Sequence, residues 1–229
     1  MRSVLSLCVC VFAGGLLGFA DECMGGAASM PVATRPTTSP TDPRGMMQVT
    51  WTAVLDALRV PGLDTKARED AVERIAEPVI DFQTMAKLAL GRQNWQKFTP
   101  DQRKQFLALF VKRLKGSYRE RIARYEGESV VVKQVLPTRQ PGQPADPPEG
   151  PRRTSPKGTA YVPVELVTKE QKINILHKLR KVSGQWKMYD TEIEGVSILM
   201  TYRSQFNDIL RTGTVDDLLK RLAEPKKDR

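Results

Sequence analysis

The sequence predicts an α+β domain, with helices packed against one side of a largely antiparallel sheet. Three observations predict it. Between residues 47 and 125 apolar side chains recur every three or four positions, the period of helices with one buried face. From 129 to 193 the period changes to two, as in strands with one buried face. After 196 the helical period returns. With 229 residues, 40% of them hydrophobic and 27% charged, the chain suits one domain with a tail and is too apolar to be disordered.

Each element has its own signals. Met47, Trp51, Val54, Leu55 and Leu58 trace an amphipathic helix that Pro61-Gly62 ends. A second helix is expected over 66–77, with Ala71, Val72, Ile75 and Ala76 on one side. Pro78 turns the chain into a third over 81–90, with Gly91 as its C-terminal cap. Thr99-Pro100-Asp101-Gln102 is a capping box opening a long helix to about 125, whose stripe is Phe106, Phe110, Leu114, Tyr118, Ile122 and Tyr125. Residues 129–136 are β-rich. Ala160, Val162, Val164 and Leu166 then alternate with polar or outward residues, as do Ile173, Ile175, His177 and Leu179, and Ser183-Gly184 turns into a strand over 186–193. Four such strands with short connections make an antiparallel sheet. Ile198, Leu199, Tyr202, Phe206, Ile209 and Leu210 define a helix over 196–211 that Gly213 ends, and Thr214 to Asp217 open a last one.

Two segments stand outside this pattern. Residues 1–20 read as a secretory signal peptide: Arg2, an uncharged run from Val4 to Ala20, and a Gly18-Phe19-Ala20 cleavage site. The competing reading is an uncleaved anchor, which the short run and its glycines weaken. Cys23 follows Ala-Asp-Glu, a poor context for lipidation. Cleavage removes Cys8 and Cys10 and leaves Cys23 without an intramolecular disulfide partner, so the fold must stand on packing in an oxidising compartment, the periplasm. Residues 21–45 form a proline- and glycine-rich linker, 137–158 a loop with seven prolines and three glycines, and 225–229 a basic tail. The domain occupies 46–224.

The formal charge is +10. In an exported chain it points to anionic headgroups or acidic envelope surfaces, with no nucleic acid as partner. Between 99 and 126 eight Lys or Arg face three acids. That basic side, with Lys112, Lys115 and Arg119 at its centre, is either a solvated face or a docking surface.

Catalytic candidates are few. His177 is the chain's single histidine, which leaves little for a hydrolytic triad or a zinc site. It falls in the apolar phase of its strand and reads as a hydrogen-bonded core residue. Asp190, Glu192 and Glu194 share one expected strand face with Trp186 and Met188, and read as a solvated or salt-bridged face rather than as acid–base or metal-binding groups. Ser197 reads as a helix cap rather than a nucleophile, since Leu199 stands where a nucleophile elbow needs glycine. No cofactor motif is present in the sequence. What remains is an excess of large apolar side chains, which either fill a core or border a space for a ligand with long apolar tails. Burying each acyl CH₂ contributes about 0.8 kcal/mol.

Several motifs resemble a known family. They are Asp81-Phe82-x-x-Met85-Ala86-x-x-x-Leu90-Gly91, Trp95, and Thr99-Pro-x-Gln102-Arg103-x-x-Phe106. Further on come Leu179-Arg180-Lys181, Trp186-Lys187-x-Tyr189-Asp190, Glu194-Gly195-Val196-Ser197 and Tyr202-Arg203-x-Gln205-Phe206. In order and spacing, from about 47 to 222, they resemble the MlaC family, the toluene-tolerance auxiliary proteins. The resemblance implies a helical layer on a mixed sheet enclosing an apolar pocket for phospholipid acyl chains, with the headgroup outside. It also implies a monomeric, non-catalytic carrier shuttling lipid between an outer-membrane lipoprotein complex and an inner-membrane ABC transporter with MCE-domain subunits. Such a carrier maintains outer-membrane lipid asymmetry. A relative associated with hopanoid biosynthesis shares the motifs, so a hopanoid or other polycyclic lipid is the alternative cargo; an envelope interaction protein with a filled core is the other.

The candidate pocket lining comes from several elements. The third helix offers Phe82, Met85 and Leu88, and the long helix Phe106, Phe110, Leu114 and Tyr118. The strands offer Val162, Val164, Leu166, Tyr189 and Ile193, and the segment that follows Val196, Leu199, Tyr202 and Phe206. Two features depart from the family: the long 137–158 loop, and His177 where members often carry Tyr.

Overall fold

Helix starts are set by local side-chain caps, and these place the elements. The computed structural model describes residues 42–136 and 158–224, all within the unit Thr38–Arg229. Helix α1 (Pro43–Arg59) begins where Asp42 accepts from Gly45 N at 2.8 Å with Pro43 in its first turn. The expected linker is therefore too long at its C-terminal end: 43–45 are helical, because an Asp cap followed by Pro is a helix start. The rest of the expected linker, the signal peptide with its cysteines, most of the proline-rich loop and the basic tail lie outside the described residues. Before Pro61, Val60 turns extended, the conformation a following proline favours.

Asp64 caps α2 (Thr65–Ala76), and a 3₁₀ turn, Glu77–Val79, follows. Helix α3 (Phe82–Lys97) is broken at Gly91, whose φ of 72° and ψ of 161° end the first segment as expected before the chain re-enters a helix. Only glycine suits this point, since a Cβ would also meet the Arg203 guanidinium at 3.0 Å. The capping box at Thr99 forms: Thr99 N donates to Gln102 Oε1 at 3.0 Å and Gln102 N to Thr99 Oγ1 at 3.2 Å. It opens α4 (Pro100–Ile122).

The strands are β1 (Ser129–Val132), β2 (Thr159–Val167), β3 (Lys172–Val182), β4 (Gln185–Ile193) and the two-residue β5 (Val196–Ser197). They form one sheet in chain order, every neighbouring pair antiparallel. The expected largely antiparallel sheet is thus a meander; the single parallel element among the described residues is the isolated bridge Ile80–Met188. The short β2–β3, β3–β4 and β4–β5 connections allow only antiparallel neighbours. Ser197 caps α5 (Ile198–Thr212), and Thr214 and Asp217 form the capping box of α6 (Val215–Ala223).

One strand differs from its expected facing. Between Lys178 and Leu179 the β3–β4 register shifts, so that Lys178 opposes Asp190 while Leu179 opposes Met188. Tyr189 is the extra residue of a β-bulge. The bulge sends Trp186 and Met188 to the inner apolar face and Asp190 and Glu192 to the outer one, instead of all four together. Glu194 leaves the strand altogether, at φ 49°.

Buried apolar side chains collect in three separate groups. The inner sheet face (Ala160, Val162, Val164, Ile175, Leu179) packs on Met46 and Met47 of α1. The first half of α4 packs with α3, α5 and α6 around Phe106, Phe110 and Phe206. The second half of α4 meets α1 and α2 through Leu58, Val72 and Ile122.

Candidate functional site

The long helix contributes to two of these groups, and its apolar stripe therefore does not face one space. Phe106 stacks on Phe110 with ring centroids 5.6 Å apart and meets Phe206 edge-on at 5.5 Å, while Tyr202 stands edge-on to Phe110 at 5.3 Å. With Met85, Leu114 and Leu199 buried beside them and Phe82 at the margin, these rings belong to one buried helical group. Val162, Val164 and Leu166 belong to the sheet face instead. Ile193 stands on that face opposite Ile175. Tyr118 borders the third group. Leu88 and Val196, expected to face inward, are 42% and 50% exposed. Tyr189 stands at the bulge beside Tyr161; burial, with Tyr161 adding, raises its phenol to about 12.

The inner sheet face carries one polar centre. Trp51 of α1 donates its indole N–H to His177 Nε2 at 3.2 Å, so Nδ1 carries the imidazole proton toward Thr191 Oγ1 at 3.0 Å. His177 is thus the satisfied core histidine expected from its strand phase, and it pins α1 to the sheet. Burial pulls its imidazole from 6.5 down to about 4. Between those values the unfolded chain binds a proton that the folded one does not, so stability falls as pH drops through that window. At about 1.4 kcal/mol per pH unit the loss reaches about 3 kcal/mol. Denaturant titrations from pH 7 to 4 are expected to show this loss relative to His177→Gln; parallel pH profiles for the two proteins would contradict it.

The outer face holds ions. Lys178 pairs with Asp190 at 3.1 Å and also with Glu192. Asp190 further accepts from the Ser197 hydroxyl at 2.8 Å and from Leu199 N at 3.3 Å, at the N-terminus of α5. Ser197 in turn accepts from Met200 N. The salt-bridged and capping readings of these residues hold, and His177 lies on the opposite sheet face from both. Among the described residues no group of three or more His, Cys, Asp or Glu is placed to hold a metal.

Half of the basic residues between 99 and 126, Arg103, Arg113, Lys115 and Arg119, are engaged with other elements of the chain. Lys115 pairs with Glu73 at 3.1 Å and with Glu77; Arg119 pairs with Glu69 at 3.6 Å and with Glu73. Burial alone would raise the Glu73 carboxyl, but hydrogen bonds from Lys115 and Arg119 outweigh it and hold the carboxyl below its ordinary value. Arg113 donates to the carbonyls of Arg221, Leu222 and Glu224, closing the C-terminus of α6. Arg103 lies over the Trp95 ring and donates to its carbonyl. Of the three expected docking residues, Lys112 remains on the exposed surface, while Lys115 and Arg119 tie α4 to α2.

Two polar atoms that the sequence reading did not single out together are buried without a hydrogen-bond partner: Arg68 Nε and Tyr118 Oη. Tyr118 was expected as part of an apolar stripe, and Arg68 carries no signal, because a charged residue on a helix is read as solvated. Its four-residue offset from Val72 was the available clue.

The fold and its groups can be set beside known proteins. Residues 48–224 match the family model described as MlaC protein. Toluene tolerance protein ttg2D of Pseudomonas putida is 25% identical over 194 residues, covering 80% of this chain and 79% of that protein. The phospholipid-binding protein from Ralstonia solanacearum, solved in complex with a phospholipid, has the same fold, with a TM-score of 0.65 and 22% identity over 79% of this chain and 94% of its own. Since the matched region spans every described element except the first turn of α1, the chain belongs to the MlaC protein family.

Proposed function

We propose that this protein is a periplasmic phospholipid carrier that holds acyl chains between its sheet and its helical layer. In this reading it exchanges lipid with an outer-membrane lipoprotein complex and with an inner-membrane ABC transporter bearing MCE-domain subunits, and so maintains outer-membrane lipid asymmetry. The supporting observation is the division of the apolar interior. Buried side chains of the sheet face and of the helices form separate groups, and half-buried Trp51, Val130, Leu166 and Ile173 border the sheet group. A seam between packed apolar layers suits long chains, since each buried CH₂ contributes about 0.8 kcal/mol and needs no polar partner. Family membership and the phospholipid named for the Ralstonia protein agree with it. Among the described residues no helix is long and apolar enough to cross a membrane.

Binding rests here on buried area and needs no covalent step; delivery follows from differential affinity of the loaded and empty forms for each partner. Mass spectrometry of lipid extracted from the purified protein is expected to find phospholipid. A polycyclic lipid in its place would favour the hopanoid alternative. Protein that carries no lipid and takes none up from vesicles would overturn the carrier reading in favour of an envelope interaction protein.

A further inference from the structure

The two unpartnered polar atoms sit on facing helices. Ion pairs Lys115–Glu77, Lys115–Glu73, Arg119–Glu73 and Arg119–Glu69 run in opposite residue order, so α2 and α4 lie antiparallel. Val72 and Ile122 meet in one buried group, with Leu58 of α1 completing it and Tyr118 packed against it. Arg68 precedes Val72 by four residues, and Tyr118 precedes Ile122 by four, so each stands on the same helix face as its apolar neighbour. The antiparallel register separates the two by about one helical turn, roughly 5.4 Å along the axis, within the reach of an arginine side chain.

Both atoms are donors. A guanidinium Nε–H has no acceptor capacity, and burial raises the Tyr118 pKa, with Glu73 and Glu69 adding to the shift and Arg119 opposing it, so the phenol keeps its proton. The acids beside Tyr118 do not serve it: Glu73 gives its oxygens to Lys115 and Arg119, and Glu69 pairs with Arg119. A buried donor without an acceptor costs about 1–3 kcal/mol, so two on adjacent faces mark a place where an acceptor belongs.

We propose that Arg68 and Tyr118 form an internal polar subsite among α1, α2 and α4 that donates hydrogen bonds to an acceptor oxygen of the bound lipid. The subsite rests on the carrier reading. Its chemistry is shared by the ester and phosphate oxygens of a phospholipid and by the carboxylate of a free fatty acid.

The test uses the full exported chain, stripped of lipid, with three fluorescent probes: a nitrobenzoxadiazole-labelled phosphatidylglycerol, cis-parinaric acid, and diphenylhexatriene, which has no acceptor oxygen. Tyr118→Phe keeps the ring and removes the donor; Arg68→Met keeps a stem and removes the other. Each variant is expected to bind the labelled phospholipid about tenfold more weakly, with diphenylhexatriene affinity unchanged. The melting temperature of lipid-free Tyr118→Phe is expected to be unchanged or higher, because an unsatisfied hydroxyl has gone. An equal loss for parinaric acid assigns the subsite to a carbonyl or carboxylate oxygen, and a loss for phospholipid alone assigns it to the phosphate region; both support the proposal. Wild-type affinity for phospholipid and fatty acid in both variants would overturn the subsite while leaving the carrier reading intact. Wild-type protein that binds none of the probes would overturn both.

Discussion

Phe106→Ala is expected to lower the unfolding free energy by about 3–5 kcal/mol, the range for deleting a fully buried aromatic side chain. Phe106 is 0% exposed and touches three other rings, Phe98 at a centroid distance of 5.7 Å, Phe110 at 5.6 Å and Phe206 at 5.5 Å. Those partners come from the end of α3, from α4 and from α5, so none can collapse into the void without shifting a helix. The cavity term therefore adds to the lost transfer free energy rather than being relaxed away. Domains of this kind are stable by only about 5–15 kcal/mol, so the variant is expected to melt far lower and to show this loss in denaturant unfolding. The position also separates core from pocket. Loss of stability without any change in lipid affinity per folded molecule is expected; a stable Phe106→Ala protein with impaired lipid uptake would place this ring in the lipid site instead.

Asp190→Ala is the second large effect, at about 3–5 kcal/mol, because it breaks a buried pair from one side only. Asp190 is 4% exposed. Its carboxylate receives the Lys178 ammonium, the Ser197 hydroxyl and the Leu199 amide, and Leu199 lies in the first turn of α5. Removing it leaves the half-buried Lys178 with Glu192 alone and strips one acceptor from the positive end of a helix. Asp190→Asn keeps the shape and an acceptor oxygen but not the charge, and is expected to cost less. Equal losses for Ala and Asn would show that the charge, which both substitutions remove, accounts for the effect, and a near-wild-type Asn variant would show that it contributes little. Since Ser197 also caps α5, hydrogen exchange in its first turn is expected to accelerate more than in α6.

Strand phases and the helix starts at Thr99, Ser197 and Thr214 were readable from the chain because their causes are local; the equally local Asp42 and Asp64 caps were missed, so α1 and α2 begin earlier than expected. Asp42, Asp64 and Asp81 each accept from the amide three residues on, and Thr99, Ser197 and Thr214 do the same. Ala160, Val162 and Val164, and then Ile175, His177 and Leu179, are buried in strict alternation. The β4 facing was not readable, because a bulge is one inserted residue that changes the parity of every position after it. Nothing in Trp186 to Asp190 marks Tyr189 as the extra one. The candidate site was legible in part. Its apolar members are mostly buried, yet their division among three groups was hidden, since periodicity says that a face is covered and not what covers it. Leu88 shows the limit most simply: it has the spacing of the α3 stripe but is exposed.

By itself the amino-acid order determined the type, sequence and caps of nearly every element, the sheet's antiparallel character and the family motifs. All of these depend on neighbours a few residues away or on short connections. Tertiary structure alone decided that Lys115 and Arg119 of α4 are spent on Glu69, Glu73 and Glu77 and Arg113 on the end of α6. It alone paired Trp51 with His177, and it alone left Arg68 and Tyr118 as buried donors without acceptors. These contacts join residues 38 to 126 positions apart, or leave a group with none. Their existence depends on how the layers dock, and no local pattern in the chain encodes that distance.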